Sequence, residues 1–127
     1  MTHRHGQQSA AEDLPGETVA LVGAPNVGKS VFFNALADSY VDVSNYPGTT
    51  VETTLARTDD FALTDTPGVY GISSFNEEER VTREIVLEAD RVINVVDATH
   101  LGRDLFCTLQ LLDMGIPTVV ALNMMDE

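Results

Sequence analysis

A single eight-residue run limits what this chain of 127 residues can fold into more than any other feature. The run is Gly23-Ala24-Pro25-Asn26-Val27-Gly28-Lys29-Ser30, which fits the pattern GxxxxGK(S/T). A strand-like apolar segment, residues 19–22, precedes it, and a helix-like segment, residues 31–36, follows it. In this context the pattern predicts a loop whose backbone N–H groups bind phosphate. A glycine-rich turn that merely packs would not account for the adjacent Lys29, the only lysine in the chain.

Three side chains of this loop have distinct expected roles. We expect Lys29 to reach the β- and γ-phosphates of a nucleotide and Ser30 to offer its hydroxyl group to Mg²⁺. Asn26 stands where many such loops carry glycine. Its neutral amide oxygen could hold a K⁺ ion beside the phosphates, where the positive charge would assist hydrolysis. The alternative is that Asn26 only hydrogen-bonds within the loop.

A second motif, Asp65-Thr66-Pro67-Gly68, follows a short strand-like segment, residues 61–64. We expect Asp65 to hold Mg²⁺, usually through water, and the backbone N–H of Gly68 to reach a γ-phosphate. DxxG alone is a common pattern and fits a simple turn. Its distance from the phosphate loop makes the nucleotide interpretation the stronger one.

A third motif, Asn123-Met124-Met125-Asp126, follows an apolar segment, residues 117–122. The Asp126 carboxylate can accept hydrogen bonds from N1 and N2 of guanine, a donor pair that adenine lacks. Asn123 would bind guanine N7 or tie this loop to the phosphate loop. The three motifs in series therefore predict GTP or GDP rather than ATP as the ligand, and Met124 is included among the expected nucleotide-binding residues.

The catalytic residues predicted from these motifs are Lys29, Asn26, Thr50 and Gly68. A Mg²⁺-binding threonine is expected in the first switch loop, which lies between the first helix and the second strand. Thr50 is the first choice because it immediately precedes a strand-like segment; Thr49 is the second choice. In many GTPases a Gln follows DxxG and orients the attacking water. Here Val69 follows, so we expect backbone groups to hold that water.

Strand-like and helix-like segments alternate along the chain, which predicts an α/β fold of the P-loop NTPase type. The sheet should be mostly parallel, with helices on both faces, and ligands should bind at the carboxyl ends of its strands. The expected strands are residues 18–22, 51–57, 61–64, 92–96 and 117–122. The expected helices are residues 29–37, 77–89 and 101–112, the last from the spacing of its leucines. Residues 38–50 and 65–75 are expected to be loops, and residues 1–16 a disordered polar tail.

Composition excludes several classes of function. The chain carries a net charge of −13, so it has no general basic surface for nucleic acid. Such an acid excess also suits a cytosol of high salt. No apolar run approaches the ~20 residues that cross a bilayer. The single cysteine, Cys107, excludes an internal disulfide and is expected to be buried, and His3 and His5 are expected to lie in the tail without a metal role.

Beyond the general motifs, the sequence resembles the GTP-binding domain of the ferrous iron transport protein B family. The resemblance rests on four further runs: Asn45-Tyr46-Pro47-Gly48-Thr49-Thr50-Val51-Glu52, Gly68-Val69-Tyr70, Ile93-Asn94-Val95-Val96-Asp97-Ala98-Thr99, and Leu109-Gln110-Leu111-Leu112 with Gly115-Ile116-Pro117. It implies slow, K⁺-stimulated GTP hydrolysis without a catalytic Gln, with Asn26 as the cation ligand. Thr66 departs from the family, which more often has Leu there. Residues 17–127 would then be a GTPase domain that lacks its last strand and helix.

The resemblance also implies a membrane iron permease domain or subunit as partner, and a cytoplasmic location or one at the inner face of the cell membrane through that partner. Two other functions fit the same motifs. One is a GTPase of ribosome assembly or tRNA modification, which often carries the Asp-Thr-Pro-Gly sequence. The other is a non-catalytic remnant that only binds nucleotide. A turnover assay separates the non-catalytic remnant from both kinds of GTPase.

Overall fold

A six-stranded sheet runs through residues 16–124, the part of the chain that this computed structural model describes. The strands are β1 (Glu17–Gly23), β2 (Ser39–Asn45), β3 (Glu52–Arg57), β4 (Phe61–Asp65), β5 (Arg91–Asp97) and β6 (Thr118–Asn123). The helices are α1 (Lys29–Leu36), α2 (Glu77–Glu88) and α3 (Leu101–Asp113), with a short 3₁₀ turn, Ala98–His100, before α3. The expected tail falls outside the described residues except for Gly16.

The strands lie in the order β2-β3-β4-β1-β5-β6. β4, β1, β5 and β6 are parallel, whereas β2 and β3 form an antiparallel hairpin that pairs with β4. Both β1 and its neighbours on either side therefore end at the same edge of the sheet. The loops that follow β1, β4 and β6 carry the three motifs, so the topology collects them at this edge.

Helices cover both faces of the sheet, as predicted. Side chains of β1 alternate between the two faces because successive residues of a strand point in opposite directions. Leu21 packs with Phe33 of α1 and Leu63 of β4 on one face. Val22 packs with Val86 of α2 and Leu111 of α3 on the other face. Four of these side chains, Leu21, Val22, Leu63 and Leu111, have no exposed surface, so the sheet is the middle layer of a three-layer fold.

The segment 38–50, predicted to be a loop, forms a strand over much of its length. β2 pairs with β3 from Ser39 opposite Arg57 to Asn45 opposite Glu52, with a shift in register between Tyr40 and Asp42. The prediction was wrong because the segment is polar and Asp and Asn have low strand propensity. As an outer strand it needs only one partner, and pairing satisfies the backbone groups of β3.

The leucine spacing correctly predicted a helix at α3, but its leucine stripe does not face the core. Leu101, Leu105, Leu109 and Leu112 are 37–63% exposed. The buried side of α3 instead carries Asp104, Cys107, Thr108 and Leu111. Its polar members have partners there: Asp104 accepts a hydrogen bond from the backbone N–H of Asp97, and Thr108 donates one to Asn94. Hydrogen bonds thus stabilise a polar inner face that periodicity alone would assign to solvent.

Local hydrogen bonds fix where α2 begins. The side chain of Asn76 accepts a bond from the N–H of Glu79 at 2.8 Å, and the Glu79 carboxylate accepts one from the N–H of Phe75 at 3.1 Å. Glu77, Glu78 and Glu79 occupy its first turn, where negative charge complements the helix dipole. The helix therefore starts immediately after the loop that carries the second motif, and its acidic end lies near that loop.

Candidate nucleotide site

A cavity of about 480 Å³ lies at the carboxyl edge of the sheet. Its lining comes from the loop between β1 and α1 and from one glycine of the second motif. The lining residues are Ala24, Pro25, Asn26, Gly28, Lys29, Ser30 and Gly68. Seven predicted site residues therefore line one cavity.

The backbone of the loop has the conformation that an anion site requires. Asn26 and Gly28 both have positive φ, 64° and 88°. Gly28 precedes α1 in the left-handed region, which glycine enters without steric cost. The N-cap residue, Gly28, has no side chain that could cap α1, and the first turn of α1 carries no acid. Val27 is fully buried and anchors the loop. Because the N-cap has no side chain, the first N–H groups of α1 are available to bind an anion.

Lys29 joins the first motif to the second. Its Nζ lies 2.5 Å from Oδ1 of Asp65 and 2.5 Å from the backbone oxygen of Thr66. The side chain of Lys29 is 11% exposed and that of Asp65 is 23% exposed. The predicted phosphate-binding lysine, which lines the cavity, and the predicted magnesium carboxylate are therefore in direct contact.

The pairing of β1 with β4 produces this contact. Leu21 lies opposite Asp65, so the end of β4 lies beside the last residues of β1. Thr66 then bonds back to β1: its N–H and its hydroxyl both donate to the carbonyl of Leu21, the hydroxyl at 2.8 Å. Thr66 is 2% exposed. The bond of the hydroxyl to Leu21 accounts for a threonine at this buried position.

Gly68 contacts the phosphate loop so closely that a side chain would not fit without movement. A Cβ atom at Gly68 would lie 3.0 Å from Cα of Pro25. The next residue, Val69, donates its N–H to the carbonyl of Gly23 at 3.0 Å, and its side chain is buried. Two backbone contacts therefore hold the second motif against the first.

The third motif is described as far as Met124. Nδ2 of Asn123 donates to the carbonyl of Val27 at 3.1 Å. Of the two roles considered for Asn123, the tie between this loop and the phosphate loop is the one observed. Met124 is 71% exposed. Asp126, the predicted guanine ligand, lies outside the described residues.

Thr50 is not brought into the cavity with the other predicted residues. Its hydroxyl donates to Oε1 of Glu77, the first residue of α2, at 3.3 Å. Thr49, the second choice, uses its hydroxyl within the loop: it donates to the carbonyl of Tyr46 and accepts from the N–H of Val51. The predicted magnesium threonine is therefore held by a different element from the one that carries Ser30.

Sequence reasoning missed the contacts that hold the segment after Gly68. Oε1 of Gln110 on α3 accepts from the N–H of Ile72 at 2.8 Å, and its Nε2 donates to Ser73 at 2.6 Å. Arg83 of α2 donates to the carbonyl of Ile72 at 3.2 Å. The guanidinium of Arg103 lies 5.2 Å from the ring centre of Tyr70. A lone glutamine among the leucines of α3 was the one available signal.

Comparisons with known proteins agree on one family. The family model described as ferrous iron transport protein B matches residues 17–127. A Fe(2+) transport protein A/Fe(2+) transporter FeoB fusion protein of Porphyromonas gingivalis is 45% identical over 116 residues, covering 86% of this chain and 14% of that protein. The Fe(2+) transporter FeoB of Campylobacter jejuni is 41% identical over 115 residues, covering 86% of this chain and 19% of the transporter. The chain thus spans less than a fifth of these relatives.

Solved structures show the same fold. A mutant of S. thermophilus NFeoB bound to GDP superposes with a TM-score of 0.82 at 41% identity, covering 88% of this chain and 45% of that one. The G domain of the T. maritima FeoB iron transporter gives a TM-score of 0.75 at 33% identity, covering 85% of this chain and 72% of that one. Within residues 16–124 no helix has both the length and the apolar content to cross a membrane. The chain belongs to the ferrous iron transport protein B family and has the P-loop GTPase-type fold of its G domains.

Proposed function

We propose that this chain binds Mg²⁺·GTP in the cavity beside α1 and hydrolyses it slowly to GDP and phosphate. The contact of Lys29 with Asp65 carries the proposal. It puts a carboxylate for the metal beside a lysine for the phosphates, and that lysine lines a cavity at the N-terminus of α1. A structural turn would not need a charged pair at this place, whereas a nucleotide site needs both groups.

The donor atoms at the site suit magnesium. Mg²⁺ takes oxygen ligands, and the hydroxyl of Ser30 and the carboxylate of Asp65 are such ligands. Thr50 would complete the set once its hydroxyl leaves Glu77. When bound, the ion would neutralise charge on the phosphate oxygens. Lys29 would then exchange its contact with Asp65 for contacts with the phosphates.

Slow hydrolysis follows from the residue after the second motif. The side chain of Val69 is 4% exposed and has no polar atom, so it cannot orient water. Backbone groups near Gly68 would hold the attacking water instead. The exposed Asn26 sits in a left-handed conformation at the rim of the cavity. Its amide oxygen would hold K⁺ beside the phosphates, where the positive charge stabilises the transition state.

Guanine is the proposed base. Asp126 would accept from guanine N1 and N2, with Met124 alongside, and Asn123 would keep this loop against the phosphate loop through its bond to Val27. The solved S. thermophilus relative that binds GDP supports this choice.

In the cell, the nucleotide cycle would serve ferrous iron uptake. The relatives that match are Fe(2+) transporters several times longer than this chain. We therefore propose a membrane iron permease domain or subunit as the partner, with this domain at the cytoplasmic face of the membrane. A net charge of −13 argues against nucleic acid as a partner.

Calorimetric titration with GDP and with ADP, in the presence of Mg²⁺, tests the nucleotide assignment. We expect GDP to bind and ADP to bind at least about 100-fold more weakly, a difference of about 2.7 kcal/mol. Lys29→Ala should abolish GDP binding. The matched control is Arg91→Ala, which removes one positive charge from the exposed start of β5. Equal affinity for GDP and ADP, or GDP binding unchanged in Lys29→Ala, would refute the proposal.

A further inference from the structure

The first switch loop, residues 46–51, closes on itself at the tip of the β2–β3 hairpin. The N–H of Tyr46 donates to the carbonyl of Val51 at 2.7 Å, and the N–H of Thr49 donates to the carbonyl of Tyr46 at 3.0 Å. Val51 is 6% exposed. The loop therefore has a defined shape of its own, and its position depends on what its side chains contact.

Two of these side chains contact α2. The hydroxyl of Thr50 donates to Glu77 at 3.3 Å. Burial, and after it the nearby carboxylate of Glu84, raises the pKa of the Tyr46 hydroxyl to about 12. Glu77 and Glu84 are seven residues apart, about two helical turns, and so lie on one face of α2.

A single arginine connects the two glutamates. Arg80 lies between them in sequence, with guanidinium nitrogens 3.2 Å from the Glu84 carboxylate and 3.7 Å from the Glu77 carboxylate. It keeps both acceptors oriented. The side chains of Arg80, Glu77 and Glu84 are 42–46% exposed, so water and salt weaken each contact. The arrangement holds the loop but releases it at small cost.

We infer that Glu77 and Glu84 are positioning residues that hold the first switch loop on α2 and compete with magnesium for Thr50. The inference rests on the proposed function, in which Thr50 is a ligand of Mg²⁺·GTP. Thr50 does not line the cavity that contains Ser30, so its hydroxyl cannot stay at Glu77 and also reach a metal ion in that cavity. Binding of Mg²⁺·GTP therefore requires the loop to leave Glu77 and Glu84.

The contact of the loop with α2 should lower the affinity for Mg²⁺·GTP but not the affinity for GDP. A ligand that needs the released loop has its affinity lowered by the fraction of molecules in which the loop is released. GDP does not need Thr50 to complete a γ-phosphate site, so its affinity should be independent of the two glutamates. Weakening the contact should then raise the affinity for Mg²⁺·GTP and leave GDP binding unchanged. Misfolding cannot produce a gain of this kind.

The test uses two variants that act on different ends of the contact. Tyr46→Phe removes only the hydroxyl that lies near Glu84, and Glu77→Ala removes the acceptor of Thr50. Glu78→Ala is the matched control, because it removes a charge from the same exposed first turn of α2. We expect a non-hydrolysable GTP analogue with Mg²⁺ to bind Tyr46→Phe and Glu77→Ala about 2- to 10-fold more tightly than the unaltered chain, and the double variant more tightly still. The ratio of analogue to GDP affinity should be unchanged in Glu78→Ala.

A second readout needs no nucleotide. Amide hydrogen exchange of Thr49 should be faster in Tyr46→Phe and Glu77→Ala, because the released loop opens more often. Unchanged exchange together with unchanged analogue affinity would overturn the inference even if the chain binds GDP. Failure of the unaltered chain to bind either nucleotide would instead overturn the proposed function, and unchanged exchange would then still refute the contact itself.

Discussion

At the scale of single residues, Gly68 is a position where an added side chain would meet backbone atoms of another motif. A Cβ atom there would lie 3.0 Å from Cα and 3.1 Å from the backbone N of Pro25. Both neighbours belong to the backbone of the phosphate loop, so relief requires the loop itself to move. The glycine therefore serves the contact between two motifs, in addition to its proposed role in the approach of a phosphate.

Gly68→Ala should lower the free energy of unfolding by about 1–3 kcal/mol, the usual cost of overpacking a close contact. Chemical denaturation measures this change. Gly102→Ala is the control, because a Cβ at Gly102 meets no atom within 4 Å and the residue lies in α3. That control should be stabilising by about 0.5–1 kcal/mol. Equal effects of the two substitutions would show that the contact with Pro25 is unimportant.

Cys107 gives a second prediction at this scale. It is 3% exposed, and burial, reinforced by the charges of Asp104 and Glu79, raises the pKa of its thiol to about 11. At pH 8 the thiolate, which is the reactive form, is scarce. A thiol reagent should therefore modify the native chain at least about 100-fold more slowly than the denatured chain. The rate should keep rising with pH above 9; a plateau near pH 9 would contradict the raised pKa.

At the scale of elements, α3 holds the segment that follows Gly68 through the side chain of Gln110. Its carboxamide accepts from the N–H of Ile72, a residue with no exposed surface, and donates to Ser73. Gln110→Ala leaves that buried N–H without its acceptor. We expect a loss of about 1–3 kcal/mol in the free energy of unfolding and faster hydrogen exchange at Ile72.

Gln110→Glu separates the two bonds of this side chain. The carboxylate can still accept from Ile72 but cannot donate to Ser73, so protection of the Ile72 amide should be retained while stability falls less than in Gln110→Ala. Exchange at Ile72 that is as fast in Gln110→Glu as in Gln110→Ala would show that the acceptor is not what protects it.

The elements also show how far sequence reasoning reaches. The phosphate loop was predictable because its residues are contiguous and its glycines and lysine have few other uses. β2 and the inner face of α3 were not, because pairing with β3 and hydrogen bonds to Asn94 and Asp97 outweigh local propensity. The bond of Thr50 to Glu77 joins residues 27 positions apart and depends on how a loop packs on a helix. No local pattern contains that information.

At the scale of the whole molecule, the sheet order explains why a site could be predicted before its geometry. β4, β1, β5 and β6 are parallel, and the motifs follow three of these strands. The topology therefore places the three motifs at one edge of the sheet. Lys29 with Asp65 and Asn123 with Val27 are the contacts that result. The nucleotide- and metal-binding roles assigned to the residues at this edge, including Lys29, Asn26, Thr50 and Asp126, stay predictions.

The most direct test of the account is GTP turnover by the purified chain in KCl and in NaCl of equal concentration, with Mg²⁺ present. We expect slow turnover that is faster in KCl, that is lost in Lys29→Ala, and that becomes equal in the two salts when Asn26 is changed to Ala. Equal turnover of the unaltered chain in the two salts would contradict the role of Asn26. No turnover in either salt, with GDP still bound, would contradict the account of this chain as a GTPase and leave it a nucleotide-binding domain.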